Sequence, residues 1–344
     1  MSNISRLESV LWEVYGKVMA EKINTTTPFL SRIEKSSDHV WGKEIRVGEL
    51  PLRSELKNLY TKMQFSDKAL RSAHGNELVR LISDKAEAAI KEASFNLQRQ
   101  LLGDSSGRIR STAELYGGMR IDVFSEKAQI MNGAVLEIDR KSNVAKLSNG
   151  RTLDFSKPAS WEAYASGAKG RELTGLAKIL SNSEELYERK RADQPVLRAK
   201  IFDKVHGEFT TAELNGILGE LESDGARTDM IMVSTDVKYA YQNYLASNRL
   251  QMDTIELTDG FKAMSFYGIP MVADRIMPKG TIYALDTSTF TLQQLCDWRW
   301  LEYDGMILRG NDNGTYTAVL VKYCDLICTE PCKNARISGI EKWV

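Results

Sequence analysis

Residues Gly103-Asp104-Ser105-Ser106-Gly107 fit G-x-S-x-G, the pattern in which a sharp turn thrusts a serine hydroxyl above a sheet for nucleophilic attack. That chemistry needs a strand before the serine and a helix after it. Here helical periodicity lies before Gly103 and a loop follows, so a polar turn closing a helix accounts for the same residues. Cys324, Cys328 and Cys332 repeat as C-x3-C-x3-C near the C-terminal end. Free or structural thiols and a metal triad both fit this spacing, although His39, His74 and His206 are too far upstream in sequence to offer a close fourth ligand. Glu302 and Asp304, beside Trp298, Trp300 and Tyr303, have the composition of a sugar-cleaving carboxylate pair, but alternation along a strand reproduces it without chemistry. Neither G-x-x-x-x-G-K-[ST] nor G-x-G-x-x-G occurs, so no phosphate cradle is present in the sequence. No catalytic, cofactor-binding or metal-ligating residue is assigned, no cofactor is expected, and the chain does not read as an enzyme.

The elements around these residues form a chain rich in architecture. Leu7, Val10, Leu11, Val14 and Val18 recur at helical spacing within Ser5 to Glu21, which predicts a short amphipathic helix whose apolar stripe needs a partner surface. From Asn24 to about Leu70, Pro28, Gly42, Gly48 and Pro51 punctuate short alternations such as Val40-Trp41-Gly42-Lys43-Glu44-Ile45-Arg46-Val47, which read as a long extended excursion with few core residues. The most regular signal follows. Leu78, Ile82, Ala86, Ala89, Ile90, Ala93, Leu97 and Leu101 recur every three or four residues and predict one helix over 77–102, with Gly103 as its left-handed C-cap. Strands are expected at Met119–Phe124, Ala134–Asp139 and Val144–Leu147. Beyond about Gly170, helices at Thr210–Leu221 and Ser234–Leu245 alternate with strands at Met230–Val233, Met264–Phe266, Met271–Ala273 and Thr281–Leu285. A hairpin pairs Gly305–Arg309 with Thr315–Cys324 across Asn311-Asp312-Asn313-Gly314. The fold class is α+β.

Bulk properties narrow the function classes. A chain of 344 residues that is 42% hydrophobic can bury a sizeable core. Lys plus Arg and Asp plus Glu each number 46, so no net field draws the chain onto phosphate backbones or anionic lipid. No run approaches the ~20 apolar residues that span a bilayer, and Met1 to Arg6 open without a signal-peptide apolar core, so a protein made and used in a cytoplasm is expected.

The segment from Asp38 to Lys68 holds too few large apolar side chains for a core of its own. Each arm of ~15 residues reaches about 50 Å when extended, and a free hairpin of that kind needs cover, most simply from another copy of the chain. Leu7, Leu11, Val14, Val40, Trp41, Lys43, Ile45, Arg46 and Val47 are therefore the expected inter-subunit contacts. Repeated head-to-tail contacts of this kind close into rings and shells.

The order of elements, together with the spine ending Asn96-Leu97-Gln98-Arg99-Gln100-Leu101-Leu102-Gly103-Asp104 and then Gly107, resembles the major capsid proteins of tailed bacteriophages, the Hong Kong 97-type fold. Further matching stretches follow in the same order: Glu172-Leu173-Thr174-Gly175-Leu176, Thr228 to Ser234, Phe266 to Asp274, Pro278 to Asp286 and Tyr303-Asp304-Gly305. The resemblance implies a self-assembling shell subunit of the virion, arranged as hexamers and pentamers of an icosahedral head around double-stranded DNA and put together in the host cytoplasm. It implies an N-terminal arm (1–34), an extended loop (35–72), a peripheral domain (73–150) with its spine helix, an axial domain (151–304) and C-terminal strands returning to the peripheral domain (305–344). A separate scaffolding protein, a portal protein and a cement or decoration protein are implied partners, and no membrane is. Two alternatives accompany this reading: an encapsulin-like nanocompartment subunit, and an α/β enzyme with an unrecognised site.

Overall fold

The structure is a computed structural model that describes residues 3–12, 16–25, 27–38, 40–41, 44–45, 52–72, 76–125, 128–157, 160–203, 207–256, 262–311 and 314–344, with backbone alone at 3–6, 40–41, 44–45, 76 and 311. Its helices are α1 (Asn3–Val10), α2 (Gly16–Thr25), α3 (Pro28–Arg32), α4 (Asp67–Ser72), α5 (Asn76–Leu102), α6 (Leu176–Ile179), α7 (Thr211–Ser223) and α8 (Thr235–Ser247). The chain divides into two compact units, one of Met1–Gln98, Thr258–Phe261 and Phe290–Ile327, the other of Arg99–Leu257, Lys262–Thr289 and Cys328–Val344.

In the first unit a mixed sheet runs in the order Glu34–Ser36, Phe290–Trp300, Thr315–Cys328, Arg309–Asn311, with Lys57–Ser66 laid antiparallel along Thr315–Cys324. The ten residues Lys57–Ser66 alternate strictly, burying Leu59, Thr61, Met63 and Phe65 and exposing the residues between them. This corrects the reading of Asp38–Lys68 as one coreless excursion. Its second half is a core strand whose partner lies some 250 positions later, a pairing that local composition does not reveal. The expected N-terminal helix is likewise two helices, α1 and α2, separated after a wider turn at Leu11 and Trp12.

α5 spans 27 residues and about 40 Å, as its periodicity predicts. Leu78, Ile82, Ala86, Ala89, Ala93, Leu97 and Leu101 are its buried stripe, and the run of alanines lets packed neighbours approach its axis closely. Gly103 does not cap it in a left-handed conformation. The Gly103 N–H donates to the Gln100 carbonyl at 3.1 Å, and Ser105, at φ 69°, takes the left-handed position instead.

The second unit holds an antiparallel six-stranded sheet (Thr152–Asp154, Val144–Leu147, Ala128–Asp139, Arg120–Ser125, Glu162–Ala165, Arg108–Ile109) over a core of Ile121, Val123, Val135, Ala145 and Leu147. It also holds a mixed seven-stranded sheet in the order Lys200–Asp203, Ala335–Ser338, Ile282–Leu285, Met230–Ser234, Ile269–Asp274, Lys262–Phe266, Thr254–Glu256. Met230–Ser234 is buried at all five positions, which is why it reads as an unbroken apolar run. α7 starts with a capping box: the Glu213 N–H donates to Thr210 Oγ1 at 3.1 Å while Glu213 accepts from the Thr210 N–H at 2.8 Å. Ser234 precedes α8 without capping it, because its hydroxyl accepts from the Thr281 N–H at 3.2 Å on the neighbouring strand.

The division into units differs from the sequence boundaries: residues 99–150, read with the spine helix as one peripheral domain, belong to the second unit. Phe290–Trp300 belongs to the first unit, although 151–304 reads as one domain. Cys328–Val344 belongs to the second unit, because Ala335–Ser338 pairs with Ile282–Leu285 and Lys200–Asp203; it does not continue with the strands before it.

Candidate subunit-contact surfaces

Much of the N-terminal segment is covered by its own chain, although Trp12 and Val18 stay exposed. Leu7 and Leu11 have no exposed surface, and the Leu11 carbonyl accepts from Trp300 Nε1 at 2.8 Å. Glu8 accepts the Ile307 N–H at 2.6 Å, anchoring α1 to the loop after Phe290–Trp300. Met19 and Ile23 of α2 are buried, and Phe29 meets Phe290 edge to face at 5.4 Å. At the end of α2, Asn24 Nδ2 donates to both Asp297 oxygens at 2.9 and 3.1 Å. The fully buried Lys322 donates to the same carboxylate at 2.6 Å and to Gln294 at 2.7 Å. Burial pushes the Asp297 carboxyl up, but the hydrogen bond and charge of Lys322, with Asn24, outweigh it and hold the group below its usual range. Burial first, then the charge of Lys322, lowers the nearby Lys35 amine. Leu7 and Leu11 are therefore withdrawn as subunit contacts, since the same chain covers them, whereas Val18 of the same stripe stays exposed.

The excursion that remains is shorter than the sequence suggested. Val40–Trp41 pairs with Glu44–Ile45, which pairs with Ser54–Glu55, a sheet of three two-residue strands. Leu52 and Leu56 at its base are buried. Of the expected contacts, Val40, Trp41 and Ile45 lie on these strands, whereas Val14, Lys43, Arg46 and Val47 fall outside the described residues.

At the C-terminal end of α5 a rigid junction forms. Arg99 and Glu172, both almost fully buried, pair through two contacts, Nη1 to Oε2 at 2.9 Å and Nη2 to Oε1. Such a pair demands bidentate geometry to offset its desolvation. Gly175 then passes so close to the helix end that an added Cβ would lie 2.3 Å from the Gln100 carbonyl and 2.4 Å from that of Gly103. Only glycine fits. Glu114, buried beside this pair, accepts the Arg110 N–H at 3.1 Å, and desolvation raises its carboxyl to about 6 despite Arg110 and Arg99. The stretch Pro278 to Asp286 is fixed in the same way: Gly280, at φ 65°, would bring a Cβ within 2.5 Å of the Ile340 carbonyl, and its N–H donates to Asp236 at 2.8 Å.

The family model of the SU10 major capsid protein matches residues 82–318. The chain belongs to that family. Its fold is that of solved shell proteins. The cyanophage A-1(L) capsid asymmetric unit is 11% identical, with a TM-score of 0.56 over 92% of this chain and 93% of the other. The holo-SrpI encapsulin complex from Synechococcus elongatus PCC 7942 is 11% identical, with a TM-score of 0.51 over 92% and 89%. No curated protein matches by sequence. The protein is thus a major capsid protein with the α+β fold of the Hong Kong 97 type, and its place is the capsid shell of the virion, built by self-assembly.

Within the capsid protein the chemically suggestive residues serve the fold. Ser105 Oγ is buried without a hydrogen-bond partner among the described residues, in a turn organised by Asp104, which accepts the Ser106 N–H at 3.1 Å and pairs with Arg110. Burial raises the Asp104 carboxyl, yet Ser106 and Arg110 together hold it below its usual range. Glu302 and Asp304 do not alternate on a strand. They lie beyond Trp300 in the turn closed by Tyr303 and Met306, where Asp304 has φ 49°. Cys324 and Cys328 are fully buried, and burial pushes both thiols to about 12. The three histidines fall outside the described residues.

Apolar side chains that this capsid protein leaves in the open escaped the sequence reading. Val79 lies off the buried stripe of α5, Leu136 sits where the register shifts between Val135 and Glu137, and Tyr267 occupies the left-handed turn between Lys262–Phe266 and Ile269–Asp274. Tyr239, Leu250 and Met252 are also exposed. A helical-wheel projection flags Val79, and a bulge in the strand alternation flags Leu136. Nothing local distinguishes the others from core residues.

Proposed function

We propose that copies of this capsid protein associate as hexamers and pentamers into an icosahedral head that encloses double-stranded DNA, each copy lending residues 37–55 to a neighbour. The observation that carries this reading is the sheet of three two-residue strands, whose members pair only with one another among the described residues. Hairpins so short do not hold their shape in water without cover. In this reading Val40, Trp41, Lys43, Ile45, Arg46 and Val47 meet the neighbouring copy, the first unit with the spine helix serves as peripheral domain, and the seven-stranded sheet with α7 and α8 serves as axial domain. The balanced charge suits a wall that lies against DNA without gripping it. A separate scaffolding protein and a portal complete the assembly, with a cement protein outside it. The protein performs no catalysis in this role.

The test is to express the chain alone and image it in negative stain, beside Trp41→Asp. Closed particles or capsomers from the parent chain, and dispersed folded monomer from the variant, are expected. Particles of normal yield from the variant would remove the excursion from the assembly. Particles that carry protein cargo and refuse DNA would favour a nanocompartment.

A further inference from the structure

The first unit carries a half-open groove of about 840 Å³ on the exposed face of the paired strands Lys57–Ser66 and Thr315–Cys328, walled by the loop from Leu301 to Gly310. That volume lies within the ~300–1,000 Å³ of ligand-sized sites. Its lining contains Tyr60, Lys62, Gln64, Tyr303, Arg309 and Tyr323 and, among the described residues, not one acidic side chain. Lys62 Nζ stands 5.3 Å from the centre of the Tyr60 ring and the Arg309 guanidinium 5.2 Å from that of Tyr303. Among the described residues neither cation has a carboxylate partner, although carboxylates and cations are equally numerous in the chain. Each cation is thus held over an aromatic face and kept available for an anion.

We propose that this groove receives an extended acidic segment of a different protein of the particle. Charge complementarity sets the sign of the occupant, and two cations flanked by tyrosine rings and amides suit a short peptide better than duplex DNA, whose charges recur every ~1.7 Å over a long line. A second copy of this chain offers no such segment. Its acid-rich stretches include the C-terminal half of the helix α7, the run Glu184 to Glu188, whose acids are followed at once by Arg189, Lys190 and Arg191, and Asp253 to Asp259, whose Thr254–Glu256 is already bound as the outer strand of the seven-stranded sheet. The inference rests on the shell reading only in naming the partner as a component of the particle.

The test uses the full chain and a fluorescein-labelled hexapeptide of alternating glutamate and valine, with a lysine–valine hexapeptide and a 12-base-pair DNA duplex as rivals, followed by fluorescence polarisation at low salt. Saturable binding of the glutamate peptide is expected, weakened tenfold or more by Lys62→Glu with Arg309→Glu and several-fold by Tyr60→Ala. These side chains are exposed, so the variants retain the fold, which the melting temperature checks. Binding that the double variant leaves unchanged, or no binding at all, overturns the proposal. Tighter binding of the duplex, lost in the same variant, reassigns the groove to nucleic acid. Loss of particles in the double variant reassigns it to a contact between copies. Particle formation by the parent chain is scored in parallel, so that failure of the groove and failure of the shell reading give different results.

Discussion

The two segments that open the chain pose the same physical problem and solve it oppositely. Short helices within residues 3–36 carry apolar side chains that the same chain covers in large part, Val18 and Trp12 excepted: Trp300, Phe290 and the strand Phe290–Trp300 accept Leu11, Phe29 and Glu34–Ser36. Within residues 37–55 the described strands Val40–Trp41, Glu44–Ile45 and Ser54–Glu55 form their ladder only with one another, and Ser54 Oγ donates to Asp325 at their base. A stripe on a helix states that cover is required, but not whose. On the proposed reading the segments differ as a fold contact differs from an assembly contact, and the end of the spine helix, sealed by Arg99, Glu172 and Gly175, belongs with the first kind.

The sharpest way to break this contrast is Trp41→Asp, which should abolish particles while leaving the monomer's thermal melt unchanged; a large fall in melting temperature would place Trp41 in the fold and erase the distinction. Glu172→Gln should act in the opposite sense, costing about 3–5 kcal/mol in urea unfolding because Arg99 is left buried without its counter-charge. Leu11→Ala should cost about 3 kcal/mol in the same measurement, as expected of a fully buried leucine; a loss below about 1 kcal/mol would return the helix stripe to the assembly surface.

A smaller effect comes from Glu114. Its carboxyl is raised by desolvation to about 6, with Arg110 and Arg99 opposing and Glu172 reinforcing the shift. The folded state therefore holds a proton that the unfolded chain releases near the ordinary value of 4.5. Its contribution is complete below that value and is lost as pH rises through about 6. Glu114→Gln should raise stability at pH 7–8 by about 2 kcal/mol and flatten the pH dependence between 4.5 and 6. Unfolding curves that keep their slope in that window would show that the group titrates normally. Least of all, Lys91→Ala removes an exposed pair with Glu87 at 3.0 Å and should not change the melting temperature measurably.

Much of the fold was legible in local pattern. The stripe from Leu78 to Leu101 fixed α5 to within one residue, the Thr210 and Glu213 pair marked the start of α7, and the apolar run at Met230 marked the central strand of the second unit. Wherever a residue's partner lies far along the chain, the pattern fell short. Lys57–Ser66 looked like part of a free excursion because Thr315–Cys324 supplies its ladder, and Ser234 looked like a helix cap because Thr281 claims its hydroxyl. For the proposed contact surface the sequence marked the excursion but could not separate Trp41 from Leu11, since both are apolar side chains awaiting cover.

By itself, then, the sequence determined the α+β class, the spine helix and the family resemblance, because these depend on periodicity, on capping residues and on the order of short stretches. Tertiary structure alone decided which apolar residues are spent inside the chain, why glycine is obligatory at 175, which unit owns the last seventeen residues, and that two cations line one groove with no acidic side chain among its described residues. Those outcomes depend on distances between residues remote in sequence, and they are set only when the strands take their partners.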